Sequence, residues 1–180
     1  MANEVLDFWF EPATCAHWFD ASDAFDQEVR KRLCGRYRDA AEGRLGHWSE
    51  SPDEALALCI LLDQVPRNIF RGTAQAFATD PQACAVARQI LAKGFDASYP
   101  TDDHRMFCYL PFEHSEDIEE QRLSVRLFNE RIADRHYREY ARRHLDTIQR
   151  FGRFPHRNEI LGRVSTPEEL EFLRSPRSSF

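Results

Sequence analysis

Apolar residues recur at helical spacing along most of this chain. Behind Ser22, a residue type that caps helices, the apolar positions Phe25, Val29, Leu33 and Tyr37 repeat every four residues. No stretch alternates apolar and polar residues in the manner of a half-buried strand. We therefore predict an all-α protein, formed as a single domain over residues 1–180 by an array of paired antiparallel helices.

One predicted helix is apolar on nearly every side. It begins at Ser51-Pro52-Asp53-Glu54, which combines a serine cap, a proline at the first helical position and a glutamate three residues after the cap. Residues 55–62 are then all apolar, so this helix needs neighbours all round and is predicted to be the central one. Pro66 is expected to end or kink it, because proline lacks the N–H and clashes with the preceding turn.

The other helix boundaries follow from similar start and stop residues. A short first helix from Asn3 should stop at Pro12, and another should run from Asp80-Pro81 to Gly94. A helix from Thr101 or Asp102 should stop at Pro111. Beyond Ser115 or Asp117, a long helical stretch to Arg150 is either one rod or bent near Ala133, and Thr166 should cap a last helix.

Length and charge exclude several classes of protein. A chain of 180 residues suits one domain with a proper core. Its net charge of -6 disfavours nucleic acid and anionic membranes as partners. The longest apolar run is far shorter than the roughly 20 residues that span a bilayer, and the acidic N-terminus is unlike a secretory signal. We therefore predict a cytoplasmic protein.

The five cysteines are scattered singly along the chain. No Cys-x-x-Cys pair occurs, and their number is odd. Both facts argue against a disulfide framework or a zinc ribbon. We expect Cys59 and Cys84, which lie within apolar helical patterns, to be small buried side chains.

Polar residues follow apolar ones abruptly at residues 61–72 and 151–163, where candidate ligand-binding groups occur. Arg67-Asn68 follows Pro66 and Arg157-Asn158 follows Pro155. Free backbone N–H groups at the start of a turn, beside an arginine, suit a carboxylate or phosphate. If the two turns face one another, the predicted ligand-binding residues are Arg67, Asn68, Arg71, Arg153, His156, Arg157 and Asn158.

A structural alternative stays open for the same residues. Each arginine could pair with an internal carboxylate such as Asp63, Glu113 or Glu116, and each asparagine could cap a turn. Buried charges are usually satisfied by the protein itself, which supports this alternative.

Residues 113–117 form the candidate centre for proton transfer. A histidine ordinarily titrates near neutral pH, and His114 has carboxylates on both sides, so we predict His114 and Glu113 as catalytic acid and base residues. The alternative is ordinary helix capping by Ser115 or Asp117. The chain has no His-Glu-x-x-His, phosphate-loop or Gly-x-Ser-x-Gly motif, so we expect no metal and no cofactor.

Four blocks together resemble a known bacterial family. They are Val5-Leu6-Asp7-Phe8-Trp9-Phe10, residues 61–72 from Leu61-Leu62-Asp63-Gln64 to Gly72, Leu110-Pro111-Phe112-Glu113-His114-Ser115-Glu116-Asp117, and Phe151-Gly152-Arg153-Phe154-Pro155-His156-Arg157-Asn158. Their order and their spread over the chain are similar to the signature of domain-of-unknown-function family 924. The resemblance implies a helical, tetratricopeptide-like fold and brings no established activity.

Two functions are compatible with these patterns. The first is a site for a small anionic molecule, held by the arginines, with His114 moving a proton. The second is a non-catalytic module whose concave helical face binds a peptide or protein, the polar blocks only bracing the loops. The sequence leaves the reaction, the ligand and the oligomeric state open.

Overall fold

The computed structural model describes residues 2–176 and 178. That part of the chain contains nine α-helices and no strand, so the all-α prediction is confirmed. From α3 to α8 each helix packs against the next one in the chain. The helices are α1 (Ala2–Trp9), α2 (Pro12–Cys15), α3 (Asp23–Ala41), α4 (Pro52–Ile69), α5 (Asp80–Lys93), α6 (Asp102–His114), α7 (Ile118–Arg131), α8 (Arg135–Phe151) and α9 (Pro167–Leu173).

Short 3-10 turns connect some of these helices, at Gly46–Glu50, Ala74–Phe77, Phe95–Ser98 and Pro155–Arg157. Among the residues that the structure describes, none of the helices has the length and apolar character needed to cross a bilayer.

Helix α4 is the central helix, as its composition predicts. Every residue from 55 to 66 is buried. Helices α1, α3, α5 and α6 all pack against it. Because each buried leucine or isoleucine side chain contributes about 1.5–3 kcal/mol relative to an exposed one, this helix carries a large share of the stability of the domain.

Pro66 does not end the central helix, because α4 continues to Ile69, so of the two expected effects, an end or a kink, the first is wrong. A proline cannot donate to the carbonyl one turn back, which here belongs to Leu62. The hydroxyl of Thr79 donates to that carbonyl instead, at 2.6 Å. A neighbouring segment thus satisfies the acceptor, and the last turn of α4 stays helical and presents Arg67.

Pro111 is accommodated in the same way inside α6, where it was also expected to end the helix. The carbonyl one turn back belongs to Phe107, and the thiol of Cys59 on α4 donates to it at 3.4 Å. Helix α6 therefore runs on to His114. The last turn beyond Pro111 holds both Glu113 and His114.

Two further helix boundaries, after α1 and after α7, add to what the sequence predicts. Pro12 does more than stop α1, since it occupies the first position of α2. The stretch after Asp117 is two helices, separated at residues 132–134. Asp134 begins the second one, because its Oδ1 accepts a hydrogen bond from the backbone N–H of His136 at 2.7 Å.

The five cysteines are free thiols, and Cys59, Cys84 and Cys108 are buried. The prediction for Cys59 and Cys84 is confirmed. Burial raises the pKa of both thiols, so they remain protonated at neutral pH.

Candidate functional site

The imidazole of His114 is held by a buried carboxylate. His114 is the last residue of α6, and Asp63 on α4 is 0% exposed. The ring Nδ1 lies 2.8 Å from Oδ1 and 3.0 Å from Oδ2 of Asp63. Since a carboxylate only accepts, Nδ1 carries the proton and Nε2 of a neutral ring keeps its lone pair. Among the described residues Nε2 has no hydrogen-bond partner, and it is not one of the buried atoms.

Arg67, one turn after Asp63, fixes the charge state of this pair. Its Nη1 lies 3.3 Å from Oδ1 of Asp63, and its two Nη atoms donate to the carboxylate of Asp80 at 2.8 and 3.0 Å. Although burial acts in the opposite direction, Arg67 and His114 hold the pKa of Asp63 below its usual range. Burial and Arg67 lower the pKa of His114. At neutral pH the pair is therefore a carboxylate and a neutral imidazole.

Arg157 is a buried cation with weak pairing. Its guanidinium carbon lies 4.5 Å from the ring centroids of both Phe77 and Phe154. Nη1 makes a single long contact of 3.4 Å with Oδ2 of Asp80, and Nε is buried with no partner. Burial and Arg67 lower the pKa of Arg157 to about 10, so the group remains charged at neutral pH.

His114 and Arg157 line one pocket that opens to solvent. Its volume is about 470 Å³, which is within the usual range for small-molecule sites. Asp80 shares the polar end with these two residues, and one wall is apolar, formed by Ala74, Phe77, Ala78, Pro81 and Leu161. The rim consists of Arg88, Ser115, Glu116, Asp117 and Glu120.

The carboxylates of the rim are engaged within the protein. Glu116 accepts hydrogen bonds from both Nη atoms of Arg163, at 2.7 and 3.0 Å, and from the backbone N–H of Phe154 at 2.8 Å. Glu120 pairs with Arg88. Asp117 caps α7 through the N–H groups of residues 119 and 120.

Two candidate nucleophiles also line the pocket, but neither is activated. Burial raises the pKa of the Cys84 thiol to about 12, and the thiol donates to the carbonyl of Pro111 at 3.2 Å. The hydroxyl oxygen of Ser115 accepts from the backbone N–H of Asp117 at 3.1 Å. Neither group therefore has the lowered pKa or the adjacent base that activates a nucleophile.

Within residues 2–176 and 178, no three His, Cys, Asp or Glu side chains come together in a way that could hold an ion.

Glu113, the second predicted catalytic residue, lies outside the pocket lining. Its Oε1 is 3.1 Å from Nδ1 of His144, and its Oε2 is buried without a partner. Burial and the nearby Asp63 raise the pKa of Glu113 to about 8, so the carboxyl is mostly protonated at neutral pH. Glu113 thus contacts His144 and does not reach the pocket.

Of the four arginines that were expected to line one pocket, only Arg157 does so. Arg67 lies behind it, against Asp63 and Asp80. Arg71 pairs with Asp26 of α3 at 2.6 and 2.7 Å. Arg153 pairs with Glu169 of α9 at 2.7 and 2.8 Å. Arg67, Arg71 and Arg153 therefore match the structural alternative.

The two asparagines and His156 also lie outside the pocket lining. Asn68 donates to the carbonyl of Gln64 at 3.1 Å. Asn158 donates to the hydroxyl of Ser165 at 3.0 Å. His156 is half-buried, and burial and the charge of Arg157 lower its pKa to about 4.

Sequence reasoning missed the contribution of the connection between α4 and α5. Phe77 from this connection and Asp80, the first residue of α5, line the pocket and contact Arg157. Asp80 was interpreted only as the start of a helix, which it also is. The available signal was an aromatic and an acidic residue within one short connection between two apolar helices.

Comparison with known proteins gives two matches. The model of the family described as bacterial protein of unknown function (DUF924) matches residues 5–177. The solved structure of a protein of unknown function from Agrobacterium tumefaciens is 43% identical, covers 96% of each chain and superposes with a TM-score of 0.91. The comparison with curated proteins found no match.

Proposed function

Because the chain belongs to the bacterial family of unknown function DUF924, whose description assigns no chemistry, we propose a function from the geometry of the pocket. The pocket binds a small anionic molecule, a carboxylate or a phosphate, and His114 acts on it as a general base. One observation carries the proposal: a histidine oriented by a buried carboxylate and an arginine with unused donors line the same pocket.

The proposed roles follow from the contacts of each group. Arg157, packed between two aromatic rings, binds the anion through its Nη atoms. Nε2 of His114 accepts a proton from the bound molecule or from a water. Asp63 stabilises the imidazolium that forms. General-base catalysis of this kind accelerates reactions by about 10²–10⁴-fold. Arg67 holds Asp63 and Asp80 in place.

A thermal-shift screen of carboxylated and phosphorylated small molecules tests the proposal. We expect at least one anion to raise the melting temperature of the wild-type protein, and Arg157→Met to lose that shift. Arg71→Gln is the matched control, since Arg71 pairs with Asp26 away from the pocket. The proposal is rejected if no anion stabilises the protein, or if Arg157→Met responds like the wild type. Any ligand that is also turned over should not react in His114→Gln.

A non-catalytic interaction module of the tetratricopeptide-like type is the second candidate function. Two exposed apolar side chains in the C-terminal segment favour it, Val164 at 88% and Leu170 at 49% exposure. A screen without any anion hit, combined with capture of a peptide by the protein, would favour the module over the small-molecule site.

A further inference from the structure

The charges around the pocket restrict the kind of anion that it accepts. From outside its lining, Arg67 and Arg163 pair with Asp80 and Glu116, which leaves no excess of positive charge for a multiply charged anion. Among the described residues that line the pocket, four are carboxylates and two are guanidinium groups. These are Asp80, Glu116, Asp117 and Glu120 on one side and Arg88 and Arg157 on the other. Like charges at short range repel, and the repulsion grows with each further charge on the ligand.

Of the cations at the pocket, Arg157 is the one without a close ion pair among the described residues. Arg88 pairs with Glu120, and Arg67 behind the pocket is committed to Asp80. Arg157 makes its single 3.4 Å contact through Nη1, whereas Nη2 has no partner among the described residues and is not buried. One guanidinium edge with two nitrogens matches the two oxygens of one carboxylate.

The apolar wall provides the second half of the recognition surface. The ring centroid of Phe77 lies 4.5 Å from the guanidinium carbon of Arg157, and the backbone N–H of Leu161 donates to the carbonyl of Arg157 at 2.9 Å. Pro81 also lines the pocket. Leu161 is 36% exposed, so it has apolar surface that a ligand could cover. An alkyl or aryl group attached to an acid bound at Arg157 would lie along this wall and gain from burial.

We propose that the pocket selects a small, singly charged carboxylic acid with an apolar alkyl or aryl tail, in preference to phosphorylated or multiply charged anions. The carboxylate binds Arg157, and the tail packs on Phe77, Pro81 and Leu161. This inference rests on the proposed anion site and specifies the substrate class of that site.

Titration calorimetry at pH 7.5 with matched ligands tests the selectivity. Phenylacetate and phenyl phosphate share a ring and differ in charge, octanoate and octyl phosphate share an alkyl chain, and acetate lacks the tail. We expect both tailed carboxylates to bind at least tenfold more tightly than their phosphate counterparts and than acetate, and Arg157→Met to lose them.

The outcomes separate this inference from the broader proposal. If a phosphate binds as tightly as its matched carboxylate and depends on Arg157, the anion site stands and the selectivity is overturned. Acetate that binds as tightly as octanoate overturns the role of the apolar wall. If no ligand of the set and no anion of the wider screen binds through Arg157, both proposals are overturned.

A charge substitution at the rim tests the electrostatic argument directly. Glu120→Gln releases Arg88 and should raise the affinity for phenyl phosphate several-fold more than that for phenylacetate. Glu119→Gln is the matched control, because Glu119 is the preceding residue of α7, pairs with Arg122 and does not line the pocket. An unchanged preference in Glu120→Gln, or an equal change in both variants, would show that the rim does not select by charge.

Discussion

Arg157 and Arg163 lie in the same connection between α8 and α9, and the structure uses them in opposite ways. Arg163 donates to Glu116 at 2.7 and 3.0 Å, to the carbonyl of Phe154 at 3.1 Å and to Asn158 at 2.9 Å. Arg157 has one contact of 3.4 Å and a buried Nε without a partner. Arg163 is saturated by the protein, whereas Arg157 keeps donors without a partner among the described residues.

The difference extends to the regions around the two arginines. Beyond Arg163 the chain is closed by a polar network in which Glu169 accepts from Arg153, from Asn158 and from the N–H of Thr166. That network fixes α9 on the rest of the domain. Around Arg157 the neighbours are aromatic rings and open space. The polar side chains around Glu169 therefore satisfy one another, whereas those around Arg157 leave some of its hydrogen-bond donors without a partner among the described residues.

Substitution of Asp63 is expected to cause the largest loss of stability, because its buried carboxylate contacts Gln64, His114 and Arg67. Asp63→Ala removes the carboxylate that pairs with Arg67 and His114 inside the protein. We expect a loss of about 3–5 kcal/mol in the free energy of unfolding, measured by urea denaturation at pH 7. Asp26→Ala, whose partner Arg71 is largely solvated, should cost less than about 1 kcal/mol. Equal losses would contradict the buried role of Asp63.

Substituting the two arginines by methionine compares the regions directly. Arg163→Met leaves Glu116 without its ion pair and should cost about 1–3 kcal/mol of unfolding free energy. Arg157→Met removes a weakly paired buried charge and keeps an apolar stem between the two rings. Its stability should change by less than about 1 kcal/mol, since burying that charge was itself costly. A loss as large as that of Arg163→Met in the same urea titration would make Arg157 structural.

Glu113 and Glu116 are three residues apart, and we expect them to affect the pH dependence of stability in opposite directions. The pKa of Glu113 rises from its ordinary value of 4.5 to about 8 because of burial and Asp63. Between these pH values the unfolded chain releases a proton that the folded protein keeps, so wild-type stability falls as pH rises. Glu113→Gln should remove this fall, by no more than about 1.4 kcal/mol per pH unit, in urea titrations from pH 5 to 8.

Glu116 is the matched opposite. Against the effect of burial, its hydrogen bonds to Arg163 lower its pKa, so its contribution is present above pH 4.5 and is lost as pH falls. Glu116→Gln should therefore be less stable than the wild type at pH 7, and the difference should close at acidic pH. Parallel pH profiles for the wild type and both variants would show that neither carboxyl is perturbed.

The sequence by itself determined the helical class, the central helix and most helix starts. These features depend on local chemistry: the apolar run at 55–62 requires neighbours on all sides, and the side chains of Ser22, Asp117 and Thr166 accept hydrogen bonds from nearby backbone N–H groups. The sequence also selected His114 and Arg157 as candidate site residues, and the structure places both in the lining of one pocket. It failed at Pro66 and Pro111, because the donors that rescue these helices, Thr79 and Cys59, come from other elements.

Only the tertiary structure decided which polar residues remain available. Arg71, Arg153 and Arg157 are equivalent in the sequence, and their roles separate because Asp26 and Glu169 reach the first two, whereas Arg157 shares Asp80 with Arg67. The structure likewise placed Asp63 behind His114 across 51 positions of the chain. Hydrogen-bond saturation depends on distances between separate helices, and local sequence patterns do not encode those distances.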